Sequence, residues 1–186
     1  VPDFLERGWT VANMEYRRGA DGWHATSADL AGALASARAI SPDAPLAIVG
    51  HSVGGQLALL GSSERDAVVA LAPVTDVVRG HHERIGDGAV AEFFHESPEV
   101  NPDVLRRASP IWHAPSPRDV LVVHGADDAR VPVAHSRDYV TSVQEHGARI
   151  DYLELPELSH LDAIAPSAAH WGFVHDWLEQ RRPASA

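Results

Sequence analysis

The stretch from Leu46 to Gly55 reads LAIVGHSVGG and contains Gly50-His51-Ser52-Val53-Gly54, a G-x-S-x-G pattern. A serine there is a candidate nucleophile for acyl transfer, provided that the backbone presents its hydroxyl and a base takes its proton. The first condition is local. Leu46-Ala47-Ile48-Val49 is an apolar run with the length of a buried strand, and Gln56-Leu57-Ala58-Leu59-Leu60 reads as a helix. Strand, sharp turn and helix make a nucleophile elbow, which holds its serine in a strained conformation beyond the sheet edge. Gly50 and Gly54 are expected to be glycine because a Cβ on either would collide across the turn, and Gly55 so that the helix packs close to the strand. The plainer reading makes Ser52 the cap of an ordinary helix; the strand before it and the helix after it favour the nucleophile.

The second condition is met from a distance. Asp127 and Asp128 follow the apolar run Asp119 to Val123, and His160 follows the run Ile150 to Leu155. In a parallel α/β sheet the chemistry lies beyond the carboxyl ends of the strands, so Ser, Asp and His fall on one rim in that chain order. His160 would take the Ser52 proton and return it to the leaving group. Asp128 would accept a hydrogen bond from the other ring nitrogen and fix the tautomer. Asp128 is preferred to Asp127 because only it completes H-G-x-x-D-x-x-V-P in His124 to Pro132; Asp127 then reads as solvated or capping. His51 reads as a packed neighbour of the elbow, and His124 and Arg17 as structural supports for their loops. Phe93, Phe94 and Trp112 read as lid packing rather than as the wall of an acyl pocket.

These residues need a frame. Val1 to Gly8 reads as the end of a helix stopped by Gly8, and Trp9 to Tyr16 as a strand. Arg17 to His24 reads as a polar connection. Ser27 is expected to cap a helix running to Ile40, with Asp29 near its positive end. After the elbow come a strand at Asp66 to Ala72, short helices without a strand in a lid-like insertion from about 74 to 117, and a strand at Asp119 to Val123. A helix from Val133 to Gly147, an edge or near-edge strand at Ile150 to Leu155, a closing helix from Ser167 to Gln180 and a loose tail from Arg181 complete the chain. Five strand–helix alternations predict one domain over residues 1–186, three-layered, with a mostly parallel sheet.

Composition narrows the function. At 186 residues the chain can bury a substantial core, and no apolar run approaches the ~20 residues that span a bilayer. No signal peptide is visible, which reads as a cytoplasmic protein. The net charge of −11 argues against nucleic acid or an anionic membrane as partner. Without cysteine there is no disulfide or thiol chemistry. The fifteen basic side chains other than histidine are all arginine, which removes Schiff-base mechanisms. The twelve histidines lack ligand spacing on a helix face, so no metal site is indicated. Oligomeric state does not follow from the sequence.

Taken together, GHSVGG, HGADDARVP and the ELSH segment resemble the nucleophile, acid and base motifs of the α/β-hydrolase superfamily, close to its esterase/lipase and kynurenine-formamidase-like group. FLERGWTVANMEYRR, ALAPVTDVV and ASPIW are similar to the same group, and the resemblance covers nearly the whole chain. It implies a serine hydrolase acting on a small carboxylic ester or amide without a cofactor, with arylformamide (N-formylkynurenine) hydrolysis as the alternative. The resemblance also implies a strand ending in H-G-G ahead of the first helix, whose loop supplies one oxyanion N–H; no segment here matches it. The N–H of Val53 is then the visible oxyanion donor. The expectation is an N-terminally truncated α/β-hydrolase fold, the rival being a short form that has rebuilt its sheet. In the truncated case the 9–16 strand and the elbow strand either pair directly or leave a row of backbone groups unpaired. A catalytically impaired fragment or non-catalytic binding module is the reading from a different class.

Overall fold

The structure, a computed structural model, describes residues 1–19, 22–95, 97–113 and 119–182. Four strands form one sheet: β1 (Ala47–His51), β2 (Ala67–Leu71), β3 (Asp119–Gly125) and β4 (Asp151–Leu155). They lie in sequence order and every pair is parallel. β2 and the inner part of β3 are buried on both faces, which explains their continuous apolar runs.

Steady progress across the sheet has a consequence for the layers. Crossovers of one hand, each stepping the same way, place their helices on the same face. Helix α3 (Val53–Gly61) follows β1 and α7 (Ala134–Glu145) follows β3; Ala58, Leu59, Tyr139, Val140 and Val143 cover the side of the sheet that presents Val68, Ala70, Val120 and Val122. The opposite face, with Val69, Leu71, Leu121 and Val123, is covered from outside the crossovers. Phe4 of α1 (Pro2–Glu6) and Val174, Trp177 and Leu178 of α8 (His170–Glu179) pack there. Three layers result.

Between β2 and β3 the chain builds short helices and no strand among its described residues: α4 (Val77–His82), α5 (Ile85–Phe94), α6 (Pro102–Arg107) and a 3₁₀ turn at Pro110–His113. Val77, Ile85, Val90, Phe94, Val104 and Leu105 form a small core of their own, joined by Val131. α5 opens on a left-handed stretch, with Gly86, Asp87 and Gly88 at φ 59°, 61° and 91°. Residues 114–117 of the expected insertion lie outside the described residues.

Three expectations need correction. Trp9 to Tyr16 is not a strand. Among the described residues no ladder reaches it, and β1 stands at the edge of the sheet with half-buried residues throughout. Of the two outcomes foreseen for these segments, the unpaired row is the one found, and four strands replace five. Second, α2 spans Gly22–Ile40 and starts well before Ser27. Trp23 stacks on Phe94 at 5.5 Å and Thr26 donates to the Arg17 carbonyl at 2.5 Å, so tertiary contacts extend the helix past its sequence signal. Asp29 pairs with Arg17 at 2.7 Å instead of serving the helix end, and that guanidinium holds its carboxyl down at about 2. Third, the chain is not loose from Arg181: Arg181 meets Asp119 and Asp151, and Arg182 donates to the Arg7 carbonyl. The rest of the expected tail, residues 183–186, lies outside the described residues.

Candidate active site

The elbow forms where β1 meets α3. Ser52 has φ 55° and ψ −120°, a sparsely populated conformation for a residue with a Cβ, which costs about 1–3 kcal/mol. Its backbone is held on both sides. The Ser52 N–H donates to Leu71 O at 2.9 Å, and its carbonyl accepts from Gln56 N at 3.1 Å. A Cβ on Gly50 would run into the carbonyl of Gly54, so Gly50 is required by the turn. Gly54 itself has open space at its Cβ position, so the expected collision there is absent. A Cβ on Gly55 would sit 3.0 Å from Pro73 Cβ, consistent with close packing of α3 on the sheet.

Asp128 is buried just beyond β3, while Asp127 is exposed. Asp128 Oδ1 accepts from the N–H groups of Arg130 at 2.8 Å and Val131 at 2.9 Å. Oδ2 accepts from His160 Nδ1 at 2.6 Å, and His124 Nε2 stands 3.3 Å away. Burial opposes ionisation, but the two imidazoles and two backbone donors outweigh it and hold this carboxyl well below the usual carboxylate range. With Nδ1 donating to a carboxylate, the neutral His160 ring keeps a lone pair on Nε2.

Ser52, Val53 and His160 line one cavity of about 570 Å³. No hydrogen bond joins Ser52 Oγ to His160 among the described residues. The structure thus brings Asp128 and His160 into direct contact and sets Ser52 on the same cavity wall. Val53 is the first residue of α3, so its N–H lies at the positive end of that helix. Phe93 and Phe94 also line the cavity, together with Val77, Ile85 and Val90, while Trp112 is exposed under the Arg106 guanidinium. The aromatic group taken for lid packing therefore splits, and two of its members face the site.

His124 supports the acid loop, as expected, and Gly125 adds a contact to which the sequence reading gave no role. His124 is fully buried; its Nε2–H donates to Val131 O at 2.9 Å and its Nδ1 meets Ser136 Oγ at 2.7 Å, so its ring is locked beside Asp128. Gly125 lies against the loop that carries His160, and a Cβ there would strike the Leu158 carbonyl. The only sequence signal for either was the His-Gly pair that opens the acid loop. Among the described residues there is no group of acidic or histidine side chains that could hold a metal ion, and no helix is long and apolar enough to cross a membrane.

Within parallel three-layer folds, a serine at positive φ wedged between a strand and the helix that follows marks the α/β-hydrolase superfamily. The sequence profile of the prolyl oligopeptidase family matches residues 27–180, and the chain belongs to that family. No functionally curated protein matches the chain. Solved structures share its fold. An acetyl ester-xyloside bifunctional hydrolase from Caldicellulosiruptor lactoaceticus superposes with a TM-score of 0.71 at 20% identity, over 89% of this chain and 69% of that one. A truncated carbohydrate esterase from gut microbiota gives 0.70 at 19% identity, over 86% and 70%. The acylaminoacyl peptidase of Pyrococcus horikoshii gives 0.72 at 18% identity, over 87% of this chain but 28% of the peptidase.

Proposed function

We propose that the chain is a serine hydrolase of the esterase–peptidase kind, with Ser52 as nucleophile, His160 as general base and acid, and Asp128 as the group that orients His160. The observation that carries this reading is the 2.6 Å Asp128–His160 hydrogen bond on the cavity that also exposes Ser52. Ser52 Oγ attacks the substrate carbonyl while His160 Nε2 takes its proton. The oxyanion meets the Val53 N–H. Collapse expels the leaving group, which receives the proton from His160, and an acyl-serine remains. Water then repeats the sequence and releases the acid.

The substrate favoured is a small carboxylic ester. The acyl side would meet Val77, Val90 and Phe94, and two of the proteins with this fold are described as ester hydrolases. An arylformamide is second, since the same groups would serve it. A third reading, an impaired or binding-only site, rests on the missing Ser52–His160 hydrogen bond and on Val53 as the one assigned oxyanion donor; lacking a second donor costs about 10²–10³ in rate.

Labelling with a fluorophosphonate tests the reading. Label on the wild type and none on Ser52→Ala supports the hydrolase; a folded wild type that takes no label supports the binding-only site. Turnover of p-nitrophenyl acetate against N-formylkynurenine then separates ester from formamide.

A further inference from the structure

We infer that His51 is a positioning residue that fixes the main chain of His160 relative to the nucleophile. The inference rests on the proposed roles of Ser52 and His160. His51 Nε2 lies 2.8 Å from the carbonyl oxygen of His160. A carbonyl only accepts, so Nε2 carries the proton and donates it. The two rings also pack face to tilted face, with centroids 4.4 Å apart at 47°. Among the described residues this is the only hydrogen bond made by the His160 main chain.

The logic is geometric. His51 precedes Ser52 directly, and the rigid elbow fixes the direction of one relative to the other. His160 lies 109 residues further on, in an irregular loop between β4 and a 3₁₀ turn at Asp162–Ile164. One grip from residue 51 to residue 160 therefore sets the spacing between nucleophile and base. The Asp128 bond does not do this directly, because it holds the ring and not the main chain of His160. Ionisation of His51 does not interfere: burial, and then the neighbouring His160, push its imidazole down to about 4, so it is a neutral donor at working pH.

The test uses three variants of the full chain. His51→Phe keeps a ring and loses the donor. His51→Gln places an amide N–H at nearly the reach of Nε2. His51→Asn keeps a polar side chain too short to make the bond. Two readouts are followed: the second-order rate of fluorophosphonate labelling at Ser52, and the far-downfield N–H proton resonance of His160 Nδ1. His51→Phe and His51→Asn should slow labelling by about 10²-fold, the scale of an ångström-sized misplacement, and broaden the resonance through solvent exchange. His51→Gln should restore both most of the way. Wild-type labelling in a folded His51→Phe or His51→Asn protein overturns the inference, as does equal loss in His51→Gln with the resonance intact. If the wild type takes no label, the hydrolase reading fails by itself, and the resonance series still decides whether His51 holds His160.

Discussion

Replacing Asp128 with asparagine is the most informative single change to the site. The carboxylate meets four donors. Oδ1 faces the N–H groups of Arg130 and Val131, which belong to the backbone and cannot turn away. The asparagine oxygen must therefore stay on that side. Its amide nitrogen then takes the place of Oδ2, against His160 Nδ1 at 2.6 Å and His124 Nε2 at 3.3 Å. Donor would face donor at both. His124 keeps Val131 O as its acceptor. His160 relieves the clash only by moving its proton to Nε2, which, on the proposed mechanism, leaves no lone pair to receive the Ser52 proton. A tautomer change of this kind costs about 10⁴ in turnover in Ser-His-Asp enzymes. Exchanging a charge-assisted bond for a neutral one should cost stability by about 1–1.5 kcal/mol. Asp127, exposed one residue earlier, is the internal control: Asp127→Asn should stay within about 0.5 kcal/mol of the wild type and keep its activity. Ester turnover, fluorophosphonate labelling and urea denaturation of the two variants read these effects. Loss of activity in Asp127→Asn, or its survival in Asp128→Asn, refutes the assignment.

Gly125→Ala forces a methyl into the Leu158 carbonyl, so it should displace the His160 loop, destabilise by about 1–3 kcal/mol in denaturant titrations and cut labelling; an unperturbed variant would mean the loop has slack. Asp66 is buried; burial raises its pKa, but Arg38 and the N–H groups of Ser63 and Leu46 outweigh that and bring it to about 2. A depressed folded-state pKa gives stability that is complete above about 4 and lost as pH falls toward 2, roughly 2 kcal/mol in all. Wild type should therefore lose about two-thirds of that more than Asp66→Asn between pH 6 and pH 2.5, measured by urea titration; equal losses would remove Asp66 from the account. Among the described residues no strand pairs with β1 on its outer side, so its outward amides should exchange with deuterium orders of magnitude faster than those of β2 and β3. Uniform protection along β1 would mean that its edge is covered.

Four strands and most helices were legible because their apolar runs match what a parallel sheet buries; Ala67 to Leu71 and Asp119 to Gly125 differ from the reading by at most two residues at either end. Trp9 to Tyr16 carries the same β-branched and aromatic signature but forms no strand, since a strand is made by its neighbour as much as by its side chains. The start of α2 escaped for a related reason: Trp23 is drawn into the insertion's core by Phe93 and Phe94, a contact across more than 65 residues. At the site, Ser52, Asp128 and His160 stood out because each sits just past a strand. His51 and His124 were read only as a packed neighbour and a loop support, and Gly125 was given no role, because each acts through a partner that only folding brings near, and a lone histidine or glycine has no periodicity to betray it.

The layer that covers Val69, Leu71, Leu121 and Val123 is supplied by α1 and α8, one near each extreme of the sequence. Trp9 Nε1 donates to Glu179, and the Arg182 guanidinium lies over the Trp9 ring, so these two regions also fasten to each other. A nascent chain emerging from the ribosome would therefore carry half of its sheet bare until synthesis had passed Glu179. Closure of that face waits for the segment that carries α8, and a stalled or clipped product ending before residue 170 would present a greasy plane to whatever chaperone or protease met it first.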